Sequence, residues 1–128
     1  MGADEVNPAP LAFEGIKSSH GYVRLAVYGE IDMSNAERLR ETLAAILDEP
    51  DLRRLDLDVA GLAFIDSQGI TVLIGALRQA RTRRIQLGVV NAHGPVLRVL
   101  QITGVDQLLI TPAHPNLTPT PARPQATT

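Results

Sequence analysis

Two adjacent residues, Asp66 and Ser67, carry the side chains most suited to chemistry in this chain. An alternating apolar stretch ends before them at Val59, and apolar residues at helical spacing begin after them at Ile70. The pair therefore falls where a loop over residues 61–66 becomes a helix, with backbone N–H groups exposed at the helix N-terminus. A serine hydroxyl there could cap the helix, attack a substrate or accept a phosphate.

Capping is the simplest of these three interpretations, because Asp and Ser are both preferred at helix N-caps. One capping residue suffices, yet both are present here, and Gly69 follows in the first turn of the helix. Glycine within a helix costs about 1 kcal/mol relative to alanine. We therefore interpret Gly69 as a position where another group must approach the backbone closely.

A nucleophilic serine would need a base and the strand-to-helix turn Gly-x-Ser-x-Gly, but Ile65 replaces the first glycine. His20 falls in a hairpin turn and His114 in the C-terminal segment, so His93 is the remaining base. No oxyanion motif accompanies it. A small serine hydrolase using Ser67 and His93 is thus the alternative from a different functional class.

Phosphorylation of Ser67 is the third interpretation. A phosphoserine adds about −1.5 to −2 charges, and the N–H groups and dipole of a helix N-terminus can hold an anion. The added charge would lie beside Asp66, and near Glu30 and Asp32 if the strands place those carboxylates at the same edge. Like charges across an interface cost several kcal/mol, so a partner would be lost while the fold persists.

Apolar periodicity predicts the elements that position this pair. Residues 13–17 and 23–27 favour a hairpin around a glycine turn, and the spacing of Ser34 and Glu37 predicts a capping box at the first helix. The elements predicted after that helix are a strand alternating Leu with Asp over 53–59, a helix over 67–81, a strand over 85–90, a helix from Pro95 to Ile102 and a short apolar element over 108–110.

This order predicts an α/β fold with parallel strand–helix–strand crossovers after the hairpin. We expect a single mixed β-sheet of four to five strands, packed by about four helices, with functional loops at the carboxyl ends of the strands. That arrangement would bring the loop over 91–93 near the Asp66-Ser67 turn. Residues 1–11 and 113–128 are predicted to be disordered segments that flank a domain over residues 12–112.

Composition limits the functional class. The net charge of −2 makes no case for nucleic acid, and the absence of cysteine removes disulfides and thiolate metal sites. No apolar run reaches the roughly 18 residues of a membrane span, and the N-terminus lacks the apolar region of a signal peptide. We expect a cytoplasmic protein without membrane insertion, cofactor or metal. The exposed edge of the hairpin leaves a homodimer open.

Three motifs, in order, resemble STAS domains, and specifically bacterial anti-sigma factor antagonists. Residues 64–70, Phe-Ile-Asp-Ser-Gln-Gly-Ile, resemble the family's signature turn, and residues 29–32, Gly-Glu-Ile-Asp, resemble its second motif. The helix opened by Pro95 and closed by residues 102–105, Ile-Thr-Gly-Val, is similar to its C-terminal pattern. The resemblance covers roughly residues 12–112.

The resemblance implies a partner-switching regulator that is not an enzyme. In that family, a GHKL-type serine kinase that is also the anti-sigma factor phosphorylates the serine after the aspartate, and a PP2C-type phosphatase removes the phosphate. The unphosphorylated antagonist binds the kinase and releases the sigma factor. By position, Ser67 is the acceptor. The partner-binding residues that the resemblance implies are Glu30, Asp32, Asp66, Gln68 and Gly69.

Gln68 departs from the family pattern, because members often have Ser or Thr at this position. The resemblance therefore narrows the phosphate acceptor to Ser67. Some STAS proteins serve other roles, for example as non-phosphorylated interaction subunits of lipid-transport ABC complexes. That role is the alternative within the same fold.

Overall fold

A computed structural model describes residues 10–18 and 20–111 of the chain. The predicted disordered segments lie outside these residues, apart from positions 10 and 11. Of these two, Leu11 is buried. The elements are β1 Ala12–Lys17, β2 Tyr22–Ile31, α1 Ala36–Leu47, β3 Arg54–Asp58, β4 Leu62–Ile65, α2 Ser67–Thr82, β5 Gln86–Val90, α3 Gly94–Ile102 and α4 Asp106–Leu109.

Strand β2 organises a five-stranded mixed sheet, which confirms the predicted α/β fold. It pairs antiparallel with β1, as the predicted hairpin, from Ala12 opposite Tyr28 to Lys17 opposite Val23. Its first half pairs in parallel with β3, and β3 pairs in parallel with β5. The parallel pairs confirm the predicted strand–helix–strand crossovers.

Strand β4 lies where the sequence predicts a loop, and that prediction is wrong for residues 62–65. β4 pairs in parallel with the second half of β2, with Ile65 opposite Ile31 and an irregularity of register after Gly29. Gly29 has a φ of +100°, a left-handed conformation that favours glycine, and its N–H donates to the Gly61 carbonyl at 3.2 Å. β4 and β2 consequently end side by side.

One face of the sheet forms the hydrophobic core with α1 and α2. Odd-numbered residues of the strands point to this face because side chains alternate along a strand. Both helices are amphipathic and bury a stripe of apolar residues against it. Side chains in this core that are at most 2% exposed include Val27, Leu39, Leu43, Leu47, Leu55, Leu57, Leu73, Ala80 and Val89.

The other face of the sheet carries polar residues of β3 that are buried. Alternation of Leu with Asp predicts a strand with one polar face, and in β3 the residues Asp56 and Asp58 are 0% and 5% exposed. Arg24 forms an ion pair with Asp58, and Arg54 Nε donates to Asp56 Oδ1 at 2.8 Å. Buried carboxylates are tolerated because such partners compensate for lost hydration.

The remaining helices are short. The predicted helix from Pro95 is α3, which begins one residue earlier at Gly94 and packs against β4. The short apolar element is α4, after which Ile110 forms an isolated parallel bridge with Val89. None of the helices within the described residues is long and apolar enough to cross a membrane.

Candidate functional site

Asp66 joins the end of β4 to the start of α2. Its backbone N–H donates to the Ile31 carbonyl at 3.1 Å, which ties the turn to the end of β2. Its side chain is the N-cap of α2, because Oδ1 accepts from the N–H groups of Gln68 at 2.9 Å and Gly69 at 3.1 Å. From sequence, either Asp66 or Ser67 could cap this helix, and in the structure the cap is Asp66.

Ser67 is the first residue of α2, and its side chain is exposed. Its carbonyl accepts from the Thr71 hydroxyl at 3.0 Å, while its own hydroxyl makes no hydrogen bond to the described residues. A hydroxyl with this position is accessible to another protein and is not needed for the cap. Of the two candidate caps, Ser67 is the one left available for modification.

The helix N-terminus differs in one respect from what the sequence predicts. The N–H groups expected to hold a phosphate at Ser67 donate to the Asp66 carboxylate. A phosphate on Ser67 would thus lie next to an anion that already occupies these donors.

Two further predicted residues, Glu30 and Asp32, lie at the end of β2 beside this turn. Glu30 is half-buried and faces Phe64 in the register, and Asp32 directly follows Ile31, whose carbonyl accepts from Asp66. The strand pairing therefore brings the second motif to the same edge as the Asp66-Ser67 turn. This edge of the sheet therefore carries the carboxylates of Glu30, Asp32 and Asp66 together with the exposed Ser67.

Asp32 shapes the loop that leads into α1. Its Oδ1 accepts from the Ser34 N–H at 2.9 Å and from the Ser34 hydroxyl at 2.5 Å, and these donors lower the pKa of the Asp32 carboxyl. The predicted capping box of Ser34 and Glu37 is therefore wrong. Glu37 pairs with Arg40, and the N-cap residue of α1 is Asn35, without a side-chain cap.

Gln68 and Gly69 have different environments although they are neighbours. Gln68 is exposed, whereas Gly69 is buried. A Cβ at Gly69 would lie 2.5 Å from Ile65 Cγ1 and 2.7 Å from Ile31 Cγ2, closer than real Cβ contacts. Internal packing between β2, β4 and α2 accounts for this glycine, so no external partner is required to explain it.

His93 is not placed to act as a base for Ser67. Its Nε2 donates to the Ala60 carbonyl at 2.9 Å, and Asn91 Nδ2 donates to Asp58 at 3.0 Å. Ala60 precedes β4 and Ser67 follows it, and four extended residues span roughly 13 Å. The expected proximity of the loop over 91–93 to the Asp66-Ser67 turn is thus wrong, because β3 and β4 pair with different halves of β2.

Two exposed apolar side chains near the site were not singled out as binding residues from sequence. Met33, which follows Asp32, is 78% exposed, and Phe64 in β4 is 39% exposed. The sequence signal was membership of the 64–70 motif for Phe64 and a position directly after the 29–32 motif for Met33. Among the described residues, no three His, Asp or Glu side chains form a metal-binding group. The site offers an exposed hydroxyl, carboxylates and apolar contacts, which suit recognition by another protein.

Comparison with known proteins places this chain in a family. A family model described as "Mlab, STAS domain" matches residues 15–111. The chain belongs to the STAS domain family. The predicted family is therefore confirmed, and the exposed serine after Asp66 lies in the turn on which that prediction depends.

Several STAS proteins named as anti-sigma factor antagonists are similar to this chain. The anti-sigma-B factor antagonist of Bacillus subtilis is 27% identical over 95 residues, which cover 73% of this chain and 84% of that protein. An anti-sigma factor antagonist structure from Mycobacterium paratuberculosis is 25% identical, with a TM-score of 0.65, and covers 78% of this chain and 83% of that chain.

The anti-sigma factor antagonist SpoIIAA shares the fold. In its unphosphorylated form the TM-score is 0.70 at 20% identity, over 82% of this chain and 90% of that chain. SpoIIAA has also been solved in a phosphorylated form, with a TM-score of 0.63 at 19% identity over 82% of this chain and 94% of that chain.

Proposed function

We propose that this STAS protein is an anti-sigma factor antagonist whose binding is controlled at Ser67. The observation that carries the proposal is the exposed Ser67 hydroxyl, which is left free of the helix cap by Asp66. Relatives named as anti-sigma factor antagonists support it, and one of them, SpoIIAA, exists in a phosphorylated form. The protein acts by binding and not by catalysis.

In the proposed cycle, the unphosphorylated protein binds an anti-sigma factor that is also a GHKL-type serine kinase, and the sigma factor is released. The kinase transfers the γ-phosphoryl group of ATP to the Ser67 hydroxyl, which loses its proton, and ADP leaves. A PP2C-type phosphatase hydrolyses the phosphate and resets the protein. Because ATP and sigma factors are found in the cytoplasm, the proposed location is cytoplasmic.

The negative charge of a phosphate on Ser67 would weaken binding of the partner. The phosphate adds about −1.5 to −2 charges beside the Asp66 carboxylate and near those of Glu30 and Asp32. A partner surface that fits the neutral hydroxyl would then face concentrated negative charge. Like charges at an interface cost several kcal/mol, which corresponds to a loss of affinity of about a hundredfold or more. Gln68, which is exposed, completes the proposed contact surface, whereas Gly69 is buried and is left out of it.

Binding and phosphorylation assays with the cognate kinase test this proposal. Ser67→Ala should bind the kinase like the parent protein and should accept no phosphate, while Ser34→Ala, at an exposed serine of the same edge, should still be phosphorylated. Ser67→Asp should lower the affinity by about a hundredfold. Gln101→Glu, which adds one negative charge at an exposed position of α3, is the matched control and should bind normally.

Two results would contradict the proposal. One is the absence of phosphate on Ser67 with every GHKL kinase of the source genome. The other is equal affinity of the parent protein and Ser67→Asp, since the electrostatic argument requires a difference. Circular dichroism of Ser67→Asp would establish that lost binding does not result from lost structure.

A second candidate is a constitutive STAS interaction subunit, for example of a lipid-transport ABC complex, in which Ser67 is never modified. The observation that favours it is the description of the matching family model, "Mlab, STAS domain". Copurification with an ABC ATPase, unchanged by Ser67→Asp, would support this candidate. A serine hydrolase is disfavoured because His93 donates to Ala60 at the opposite end of β4.

A further inference from the structure

Strand β1 is an outer strand of the sheet, with β2 on one side only. Its residues 12–17 pair with β2 in an unbroken antiparallel register, and they include neither a proline nor a bulge. All of them are exposed except Phe13, which is half-buried. Proteins often protect an edge of this kind with prolines, bulges or a covering segment, because its free N–H and C=O groups can pair with another strand. The edge of β1 is therefore open to such pairing.

The outward-facing backbone groups of β1 belong to Phe13, Gly15 and Lys17. The Ser18 N–H donates to the Tyr22 carbonyl at 2.8 Å, so these two residues form a hydrogen-bonded pair directly after the strand. Hydrogen-bonded pairs alternate with other pairs along an antiparallel ladder. The even-numbered residues of β1 therefore bond to β2, and the odd-numbered ones face outward. In the described part of the chain, no loop or turn forms a backbone hydrogen bond with the three outward-facing residues.

We propose that two copies of this chain form a homodimer through β1, which pairs antiparallel with β1 of the second copy about a twofold axis at Gly15. The axis is perpendicular to the sheet, so odd-numbered residues face odd-numbered ones, and Phe13 lies opposite Lys17 of the second copy. The outward-facing pairs are Gly15 with its copy and, on either side, Phe13 with Lys17. Each pair can exchange two hydrogen bonds, about six in total. The two sheets then form one continuous sheet.

The charges of α1 are complementary in this arrangement. The Arg38 guanidinium lies over the Phe13 ring, 5.3 Å from its centre, and Lys17 Nζ lies 3.8 Å from Glu49 Oε2. Helix α1 therefore runs along β1 in the same direction. When Phe13 faces Lys17 of the second copy, Arg38 comes next to Lys17 and Glu49 of that copy, and each Glu49 lies between two cations. The twofold axis repeats this contact on its other side.

The two neighbouring positions of the axis are less favourable. An axis at Glu14 would place the two Glu14 carboxylates directly opposite each other, and like charges in that position destabilise a sheet. An axis at Ile16 would shift one copy by two residues, roughly 7 Å, which separates Arg38 from Glu49 of the second copy. Charge complementarity therefore favours the axis at Gly15.

This dimer leaves both Ser67 turns accessible. Each turn lies at the end of β4, beside the end of β2. Because the two copies run in opposite directions across the axis, the turns lie at opposite ends of the continuous sheet. The dimer goes beyond the proposed function, and the measurements that test it do not depend on Ser67.

Cysteine trapping in the full-length protein tests this register, because the chain contains no cysteine of its own. With the axis at Gly15, Glu14 faces Ile16 of the second copy, and the Cβ atoms of such a pair lie about 4.5–5.5 Å apart. Glu14→Cys and Ile16→Cys proteins, one of them tagged, are mixed and oxidised mildly. The matched control mixes Glu14→Cys with Lys17→Cys, since Lys17 is also exposed but points to the opposite face. The mixed disulfide should form about tenfold faster in the test mixture.

Equal rates in the two mixtures would overturn the proposal. A disulfide between two Glu14→Cys chains, or between two Ile16→Cys chains, that forms faster than the mixed one would also overturn it, because the axis would then lie elsewhere.

Sedimentation equilibrium provides a second measurement. The Gly15 N–H faces outward, so Gly15→Pro removes a donor from the dimer but none from the bonds between β1 and β2. It should raise the dimer dissociation constant by about tenfold or more, with an unchanged far-UV circular dichroism spectrum. Gly15→Ala keeps the N–H and should dimerise like the parent protein. A parent protein that is monomeric at every concentration, or equal dissociation constants for Gly15→Pro and the parent, would contradict the proposal.

Discussion

Replacement of Gly69 by alanine provides a direct test of why a glycine occupies the first turn of α2. A Cβ at this position would lie 2.5 Å from Ile65 Cγ1 and 2.7 Å from Ile31 Cγ2. Such overpacking typically costs about 1–3 kcal/mol. Alanine returns at most about 1 kcal/mol of helix propensity. We therefore expect Gly69→Ala to lower the free energy of unfolding by about 1 kcal/mol.

Gly75, in the middle of the same helix, is the matched control. It is exposed, and apart from its chain neighbours and the backbone of its own helix, no heavy atom of the described residues lies within 4 Å of the position a Cβ would take. Gly75→Ala should therefore raise the free energy of unfolding by about 1 kcal/mol. The difference between the two variants isolates the steric term, because both gain similar helix propensity. Urea unfolding followed by far-UV circular dichroism measures this difference.

The refuting result is a Gly69→Ala variant that is stabilised as much as Gly75→Ala. In that case Ile31 and Ile65 would not limit the size of the side chain at position 69. Close approach of a partner would then be the alternative explanation for the glycine. A destabilised Gly69→Ala that still binds its partner with parental affinity would support internal packing as the sole role. A change of 1 kcal/mol corresponds to a shift of roughly 4 °C in Tm.

Three further predictions concern the polar groups. Asp66→Ala should lower the free energy of unfolding by about 1 kcal/mol through loss of the N-cap, whereas Ser67→Ala should leave it unchanged; equal effects would contradict the assignment of the cap. Asp58→Ala breaks a buried ion pair and should cost about 3 kcal/mol in urea unfolding; a loss below 1 kcal/mol would show that the pair is not needed. Because the folded-state pKa of Asp32 is lowered, its contribution to stability is present above the unfolded pKa of about 3.9 and is lost as pH falls through the folded-state pKa. Ser34→Ala should raise the pKa of Asp32 in an NMR titration, and an unchanged pKa would contradict the hydrogen-bond explanation.

Local signals were sufficient to predict α2 and the position of Ser67. The helix is marked by apolar residues at helical spacing, and its start is marked by Asp66, a preferred N-cap. Both signals act over a few residues of the chain. The predicted helix and the exposed position of Ser67 agree with the structure for this reason.

Features that depend on distant residues were not predictable. Leu62 to Ile65 do not alternate, and they form a strand only because the second half of β2 pairs with them. The alternating Asp residues of β3 indicated a polar face, but not the burial that Arg24 and Arg54 allow. The arginine of one pair lies in another strand, about thirty positions away in sequence.

The reason for a glycine at position 69 also depends on residues that are distant in sequence. From sequence, a glycine that weakens a helix indicated that another group approaches the backbone closely, but not which group. The two side chains that require it, Ile31 and Ile65, belong to strands whose pairing was not predicted. Likewise, Ser34 has capping-box spacing, but the hydroxyl donates to Asp32, which the β2–α1 connection brings within reach.

The hydrogen bond from Asp66 N–H to the Ile31 carbonyl affects how an enzyme could recognise Ser67. The residues on either side of Ser67 are fixed: Asp66 is bound to β2, and the N–H groups of Gln68 and Gly69 are bound to the Asp66 side chain. A short peptide with the sequence of residues 62–72 would keep the linear motif but lose these bonds. A kinase that modifies Ser67 therefore has to read a folded epitope assembled from two strand ends, not a consensus sequence.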